Sequence, residues 1–163
     1  IFLPYMAGER APIWDPNARG TFMGLNMNTT RAEMLRAVME GTSFALQDNL
    51  DQAIKTGIPI RDFICCGGCS KSDIWLKIKA SVIGQEIKIP SVNLGAPGGL
   101  GYMNAAFMGE YKTPEDASRA ALQIKKIVEP VEEWIPIYKE LYQIYLDSYQ
   151  SLKSQFAALA QIK

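Results

Sequence analysis

Residues 63–75 carry the residue types best suited to binding chemistry in this 163-residue chain. An apolar run, residues 63–66, ends at Gly67 and Gly68, and a helical pattern begins after Ser72. Short apolar runs bounded by glycine are typical of buried strands, and serine is a favoured helix N-cap. Two glycines let a ligand come close to the backbone, and the first N–H groups of a helix can bind an anion. The stretch therefore predicts a strand–loop–helix junction that holds a nucleotide.

The same pattern has a purely structural interpretation, because strand–glycine–helix junctions also occur in α/β proteins with nothing bound. The stretch is not a Walker A loop, which places Gly-Lys-Ser/Thr after its last glycine. It also lacks the Gly-x-Gly-x-x-Gly of dinucleotide-binding domains, which disfavours a dehydrogenase-type domain.

All three cysteines lie in this window, at positions 65, 66 and 69, and the chain has no histidine. Zinc usually takes two spaced pairs of ligands, so a metal site is disfavoured. A redox pair is the other alternative, but Cys65 and Cys66 fall inside the predicted strand, where cysteine behaves as a small hydrophobe. Thiols without obvious partners suit a reducing compartment, so we expect a cytoplasmic protein.

Composition predicts one globular domain, with 48% hydrophobic and 21% charged residues. The 17 basic and 17 acidic side chains cancel, which gives no overall field for nucleic acid or an anionic membrane. No apolar run approaches the roughly 20 residues of a membrane span. The chain opens at Ile1 with a strand-like segment already entering a loop, so we expect a C-terminal fragment of a longer protein.

Strands alternate with helices along the chain, which predicts an α/β architecture. Thr30 and Glu33 form a capping box that begins a helix ending near Lys55. In that helix we expect Gly41 to pack closely against another element and Glu40 to face solvent. Further strands are predicted at 20–27, 86–90 and within 124–131, and further helices at 72–83, 103–108, from Thr113, and at 131–162 with a kink near Pro136. The last helix carries an aromatic stripe that we interpret as packing.

The loop at residues 4–19 has no periodicity and contains three prolines. Its polar and aromatic side chains, Glu9, Arg10, Trp14, Asp15 and Arg19, predict either the lining of a cleft or a loop pinned by internal salt bridges. Asp15 is a conceivable general base, but its place in Asp-Pro-Asn-Ala-Arg-Gly favours a structural role.

Three motifs, in order, resemble the FGGY carbohydrate kinases. The loop from Gly8 to Gly20 is similar to the one that leads into the second FGGY signature in xylulose and gluconate kinases. Residues 67–72 resemble the Gly-Gly-Ala-x-x-Ser/Asn nucleotide loop of the family, with Cys69 where alanine is usual. The second signature itself is matched at Gly20, Phe22, Gly24, Leu25, Glu33, Met34, Ala37, Val38, Met39 and Glu40.

The resemblance implies an actin-like, ribonuclease-H-like ATPase domain, the second of two in these kinases, covering residues 1–163. It implies transfer of the γ-phosphate of ATP to a sugar hydroxyl, with Mg²⁺. Gly67 and Gly68 would contact the nucleotide through their backbone, and Ser72 would contact its adenosine side. Residues 93–106 depart from the family because Tyr102, Met103 and Asn104 follow Leu100-Gly101, so we expect this helix to serve packing.

The resemblance also implies that most of the machinery lies upstream of Ile1: the sugar contacts, the first phosphate-gripping hairpin and the general-base Asp. No catalytic residue is therefore assigned in this chain, and the fragment alone is expected to be inactive. The expected substrate is a ketopentose such as xylulose, with gluconate or another sugar or polyol as the alternative and glycerol disfavoured. A non-catalytic nucleotide-binding module and a homodimer are both left open.

Overall fold

Two short antiparallel sheets with five helices form the chain in the computed structural model, which describes residues 1–92 and 95–162. Phe2 lies opposite Phe22 in the first sheet, and Ile87 lies opposite Val128 in the second. The mixture of helix and sheet agrees with the predicted α/β class. The elements are β1 (Phe2–Leu3), β2 (Thr21–Phe22), α1 (Arg31–Lys55), α2 (Asp73–Ile83), β3 (Ile87–Pro90), α3 (Gly95–Phe107), α4 (Pro114–Ala121), β4 (Ile124–Val128) and α5 (Trp134–Leu159).

The larger hydrophobic core, here called the aromatic core, joins β1, α1 and α5. Its members are buried and include four tyrosines, together with Leu3, Ala18, Phe44, Ile78 and Phe156. The Tyr5 and Tyr145 hydroxyls share a hydrogen bond of 2.6 Å inside it, and the Phe44 ring lies 5.6 Å from that of Tyr145. The predicted packing role of the aromatic stripe on the last helix is confirmed.

Helix α1 begins and ends where the sequence predicts. The capping box is present, with Thr30 and Glu33 bonded in both directions, and Gly57 follows the helix at φ +79°. The face buried toward β1 and α5 carries Gly41, Phe44 and Asp48, whereas Leu35 is 52% exposed.

Of the two expectations about residues in this helix, the structure confirms the one for Gly41 and contradicts the one for Glu40. Close packing at Gly41 is confirmed, because a Cβ at this position would collide with the carbonyl of Phe2. The expectation that Glu40 faces solvent is wrong. Its carboxylate accepts hydrogen bonds from Arg36 Nε at 2.8 Å and from the Tyr138 hydroxyl at 3.0 Å, so it ties α1 to α5.

A second, smaller core lies between α2 and the β3–β4 sheet and is here called the sheet core. It consists of Leu76, Ala80, Ile87, Ile89 and Val128. Helix α2 belongs to both cores, because Ile78 on its other side is buried in the aromatic core. Packing against both cores therefore fixes the position of α2, whose start is the end of the candidate loop.

Two predicted elements have clearly different bounds in the structure. The predicted strand 20–27 is shortened to Thr21–Phe22, with Met23 hydrogen-bonded to Ile1, and Gly24 turns the chain at φ +81°. Helix α3 begins at Gly95 rather than at 103, with Gly98 buried; tertiary packing against α4 overrides the weak helix propensity of glycine there. Asn93 and Leu94, the start of the predicted glycine-rich loop, lie outside the described residues.

Helix α5 runs without interruption past Pro136, so the expected kink is wrong. Pro136 is the third residue of the helix, in the first turn, where a missing N–H costs no intrahelical hydrogen bond. The predicted strands at 86–90 and within 124–131 are confirmed as β3 and β4, and the helix after Thr113 as α4. None of the helices across residues 1–92 and 95–162 is both long and apolar enough to cross a membrane.

Candidate functional site

The segment before the candidate loop pairs with β3 but is only half-buried. Cys65 N–H donates to the carbonyl of Lys88 at 3.0 Å, and Lys88 N–H donates to the carbonyl of Phe63 at 2.8 Å. This makes one parallel bridge at Ile64 rather than a strand of several pairs. Ile64 is 45% exposed, so the expectation of a buried strand is wrong, because the described residues cover one edge of the segment only.

Gly67 and Gly68 form the turn between this segment and α2. Gly67 has φ +83°, a conformation that residues with a Cβ rarely adopt. Gly68 opens a single turn of 3₁₀-helix, Gly68–Lys71. A Cβ added at Gly68 would meet no described atom within 4 Å beyond its chain neighbours. No protein group there requires glycine, and the space beside its backbone is open to a ligand.

Ser72 ends the 3₁₀ turn and caps α2, as predicted. Its Oγ accepts a hydrogen bond from Trp75 N–H at 3.4 Å, and its own N–H donates to the carbonyl of Cys69 at 3.3 Å. A hydroxyl used as an acceptor still has its proton to donate. The side chain can therefore cap the helix and donate to a ligand beside the loop at the same time.

Positive charge surrounds the loop. Lys71 is exposed at the end of the 3₁₀ turn, and Lys79 Nζ lies 4.8 Å from the centre of the Trp75 ring. Lys126 Nζ, on β4, is 2.7 Å from Asp73 Oδ1 at the first position of α2. The hydrogen bond and charge of Lys126 lower the pKa of the Asp73 carboxyl. A loop edged by lysines at a helix N-terminus favours a polyanionic ligand.

The cysteines of the loop agree with expectation only in part. Cys66 is exposed and Cys65 and Cys69 are partly buried. Cys65 packs against the sheet core as a small hydrophobe, as expected, whereas Cys66 does not. The Cys65 and Cys69 sulfurs are 3.4 Å apart. Sequence analysis missed this contact, although the spacing of four residues across a Gly-Gly turn was visible.

Residues 4–19 line a cavity and are also stabilised by hydrogen bonds within the loop. This cavity of about 500 Å³ is lined by Glu9, Arg10 and Trp14, among others. Hydrogen bonds between the backbones of Glu9 and Asp15 close the loop at 2.8 and 2.9 Å. Arg19 donates to the carbonyls of Pro16 and Ala18. The loop is pinned by these hydrogen bonds, rather than by the expected salt bridges, among the residues that the structure describes.

Asp15 has a structural environment, in agreement with its interpretation from the sequence. Its carboxylate is 8% exposed and accepts hydrogen bonds from the Tyr149 hydroxyl and from Asn17 N–H, both at 2.8 Å. Burial alone would raise the pKa of this carboxyl, but these hydrogen bonds outweigh it and hold the pKa below its usual range. A carboxylate so engaged is a poor proton acceptor at neutral pH.

Helix α3 faces the loop across a small hollow of about 170 Å³, lined by Cys66, Gly98 and Tyr102 among others. Tyr102 is half-buried here and Asn104 is exposed. Within residues 1–92 and 95–162, no group of three or more His, Cys, Asp or Glu side chains is placed to hold a metal ion.

The comparison with known families decides the identity of this arrangement. The sequence model described as "FGGY family of carbohydrate kinases, C-terminal domain" matches residues 1–110. The chain belongs to this family. Its solved structural neighbours are kinases with the actin-like ATPase fold, as the resemblance predicted.

Individual relatives agree with the family assignment. A xylulose kinase of Staphylococcus epidermidis is 32% identical over 162 residues, covering 99% of this chain and 33% of the relative. Among solved structures, a ligand-bound xylulose kinase from Lactobacillus acidophilus aligns with a TM-score of 0.87 and 30% identity, over 98% of this chain and 32% of the other. A gluconate kinase from the same organism aligns with a TM-score of 0.86 and 30% identity, over 98% and 32%. The chain spans about a third of the length of these relatives.

Proposed function

We propose that residues 1–163 form the nucleotide-binding, C-terminal domain of a carbohydrate kinase that transfers the γ-phosphate of ATP to a sugar hydroxyl. The observation that carries the proposal is the glycine turn in a chain of the FGGY family: Gly67 at φ +83°, then open space beside Gly68, then a capped helix. We place this kinase in the cytoplasm, where its thiols remain reduced.

In this proposal the loop binds ATP through backbone and helix-end groups. Gly67 and Gly68 let the nucleotide lie against the main chain, and the Ser72 hydroxyl donates to its adenosine side. The positive end of α2, together with the exposed Lys71, stabilises phosphate charge. ATP supplies the phosphoryl group, and these residues fix its position without taking part in bond making.

Mg²⁺ would reach this site with the phosphates of ATP. The described residues offer no cluster of carboxylates for it, and magnesium in kinases is commonly held by substrate phosphates and one or two carboxylates. The general base and most sugar contacts are proposed to lie in another domain of the full-length protein. This division suits a reaction in which catalysis is mainly positioning and charge stabilisation.

The proposed substrate is a ketopentose such as xylulose. Xylulose kinase is the name of the relative and of one of the two structures described above. Gluconate is the alternative because a gluconate kinase has nearly the same TM-score and the same identity. Since sugar contacts are proposed to lie outside this chain, the choice between them requires a panel of sugars with the full-length enzyme.

The experiment that tests the nucleotide site is Gly68→Val in the full-length enzyme. Its side chain would enter the space proposed for ATP, so we expect the apparent affinity for ATP to fall by at least about tenfold. Gly99→Val is the matched control, because a Cβ there also meets no described atom within 4 Å. If Gly68→Val kept the affinity of the unaltered enzyme, the loop assignment would be wrong.

A second experiment separates binding from catalysis. The isolated 163 residues are expected to bind ATP and to show no sugar-dependent ATP turnover, because the proposed base is absent. Turnover well above a blank would mean that this chain contains the base. Absence of turnover in the full-length protein, with ATP binding retained, would favour a non-catalytic nucleotide-binding module.

A further inference from the structure

Cys65 and Cys69 face each other across the candidate nucleotide loop. Their sulfurs are 3.4 Å apart, and a disulfide requires about 2.05 Å. A small movement of one side chain would therefore join them. Gly67 and Gly68 lie between the two cysteines in sequence and provide the backbone freedom for this movement.

The surroundings make the two thiols unequal. Burial raises the pKa of the Cys65 thiol, and its contact with Cys69 raises it further. For Cys69, burial acts in the same direction, but hydrogen bonds from Lys79 and Cys65 and the positive charge of Lys79 outweigh it and lower the pKa. The thiolate is the nucleophilic form of cysteine. We therefore expect Cys69 to react first with an oxidant and Cys65 to react second, with the oxidised Cys69.

Both thiols are partly exposed, so the order of reaction is set by the lysine beside Cys69 and not by access. A small oxidant can reach the Cys69 sulfur from solvent. Lys79, which stabilises the Cys69 thiolate, is held on α2 over the Trp75 ring at 4.8 Å. The charge that activates Cys69 is thus part of the helix that the loop caps.

We propose that Cys65 and Cys69 form a reversible disulfide that blocks nucleotide binding by the loop in response to hydrogen peroxide. The Cys69 thiolate attacks the O–O bond, which gives a Cys69 sulfenic acid and a hydroxide that takes up a proton to become water. The Cys65 sulfur then attacks the sulfenic sulfur, the S–S bond forms, and a second water leaves with the Cys65 thiol proton. Two thiols lose two electrons, and one peroxide becomes two waters. A dithiol reverses the step by thiol–disulfide exchange.

The effect on nucleotide binding rests on the proposed function of the loop. A bond from Cys65 to Cys69 closes a ring around Gly67 and Gly68, the two residues proposed to lie against ATP. The ring removes the freedom with which their backbone adapts to the nucleotide. We expect the oxidised protein to bind ATP at least about tenfold more weakly than the reduced protein, with full recovery on adding dithiothreitol.

The test is peroxide titration of the full-length protein, followed by intact mass and peptide mapping. The expected product has lost two hydrogen atoms and contains a peptide with Cys65 linked to Cys69. Cys66→Ser is the matched control and should form the same bond. Cys65→Ser should instead give a Cys69 sulfenic acid that dimedone traps, whereas Cys69→Ser should give neither product.

Two outcomes would overturn the disulfide: absence of the crosslink in the unaltered protein, or an equal crosslink yield after Cys65→Ser. ATP binding, measured on the same reduced and oxidised samples, tests the regulatory effect separately. A crosslink that leaves ATP affinity unchanged would overturn the proposed block of nucleotide binding. A protein that binds no ATP even when reduced would overturn the nucleotide site, while the crosslink result would stand on its own.

Discussion

The aromatic core and the candidate loop (residues 63–72) differ in how far their groups are satisfied by other parts of the protein. In the aromatic core each buried tyrosine hydroxyl has a partner, such as Asp15 for Tyr149 and Glu40 for Tyr138. The loop contains two glycines with open space beside them, an exposed Cys66 and an Ile64 that is 45% exposed. The tyrosine hydroxyls of the core are thus hydrogen-bonded within the described residues, whereas the loop has open space beside its backbone that a ligand could occupy.

This difference separates stability from binding. The aromatic core stabilises the fold. Helix α2 packs into both cores and therefore fixes the position of the loop relative to them. Substitutions in the core should therefore change the free energy of unfolding, whereas substitutions in the loop should change ligand binding at nearly constant stability.

The largest effect is expected from Phe44→Ala. Phe44 is 1% exposed and packs against three tyrosine rings, so its removal should lower the free energy of unfolding by about 3–5 kcal/mol. Leu46→Ala, two residues along the same helix and 37% exposed, is the control and should cost much less. Urea denaturation followed by circular dichroism measures both, and equal losses would contradict the assignment of α1's buried face.

A smaller loss is expected from Gly41→Ala. The new methyl group would collide with the carbonyl of Phe2 and push α1 from β1, at a cost of about 1–3 kcal/mol. Gly68→Ala adds the same group in open space and should leave stability unchanged. If thermal denaturation showed the two alanine variants to be equally destabilised, the predicted difference between close packing at Gly41 and open space at Gly68 would be wrong.

Tyr149→Phe should cost about 1 kcal/mol, because it removes one of the hydrogen bonds to the buried Asp15 carboxylate. The pKa of Asp15 is lowered in the folded protein. The stabilisation is therefore present above the ordinary pKa of an unfolded aspartate and is lost as pH falls through the lowered value. The gap in stability between the two proteins should narrow from pH 7 to pH 3. A gap that stays constant over this range would show that Asp15 remains protonated or unbonded to Tyr149.

The smallest effect is expected from Lys126→Ala. The Lys126–Asp73 pair joins β4 to the start of α2 at 2.7 Å, but both side chains are largely exposed, and exposed ion pairs contribute little. Its loss should lower the melting temperature less than Phe44→Ala, Gly41→Ala or Tyr149→Phe, and the difference should disappear in high salt. A large, salt-independent loss would mean that the sheet core depends on this pair.

Local signals in the sequence predicted several helix ends correctly. The Thr30–Glu33 capping box, the Ser72 cap and the Gly84 stop each depend on residues close in sequence, and each is present. The second FGGY signature identified the family because it constrains many positions at once.

Features that depend on distant residues could not be predicted. Which face of α1 is buried is decided by Phe2 and by the tyrosines of α5. Glu40 is partly buried because it bonds to Tyr138, 98 residues away in sequence. The extent of α3 is set by packing against α4, against the propensity of its glycines. The pairing of Cys65 with Cys69 needed the 3₁₀ turn, which glycine-rich sequence does not specify.

The hydrogen bond between Tyr5 and Tyr145 has a consequence for synthesis, because its partners are 140 positions apart. At about 5–20 residues per second, a ribosome would take about 7–28 s to progress from one to the other. During that interval Leu3 and Tyr5 lack the tyrosines of α5 with which they are buried in the aromatic core. Strand β1 can complete its packing only after α5 has emerged, so this segment is exposed to aggregation or to chaperones while the chain is growing.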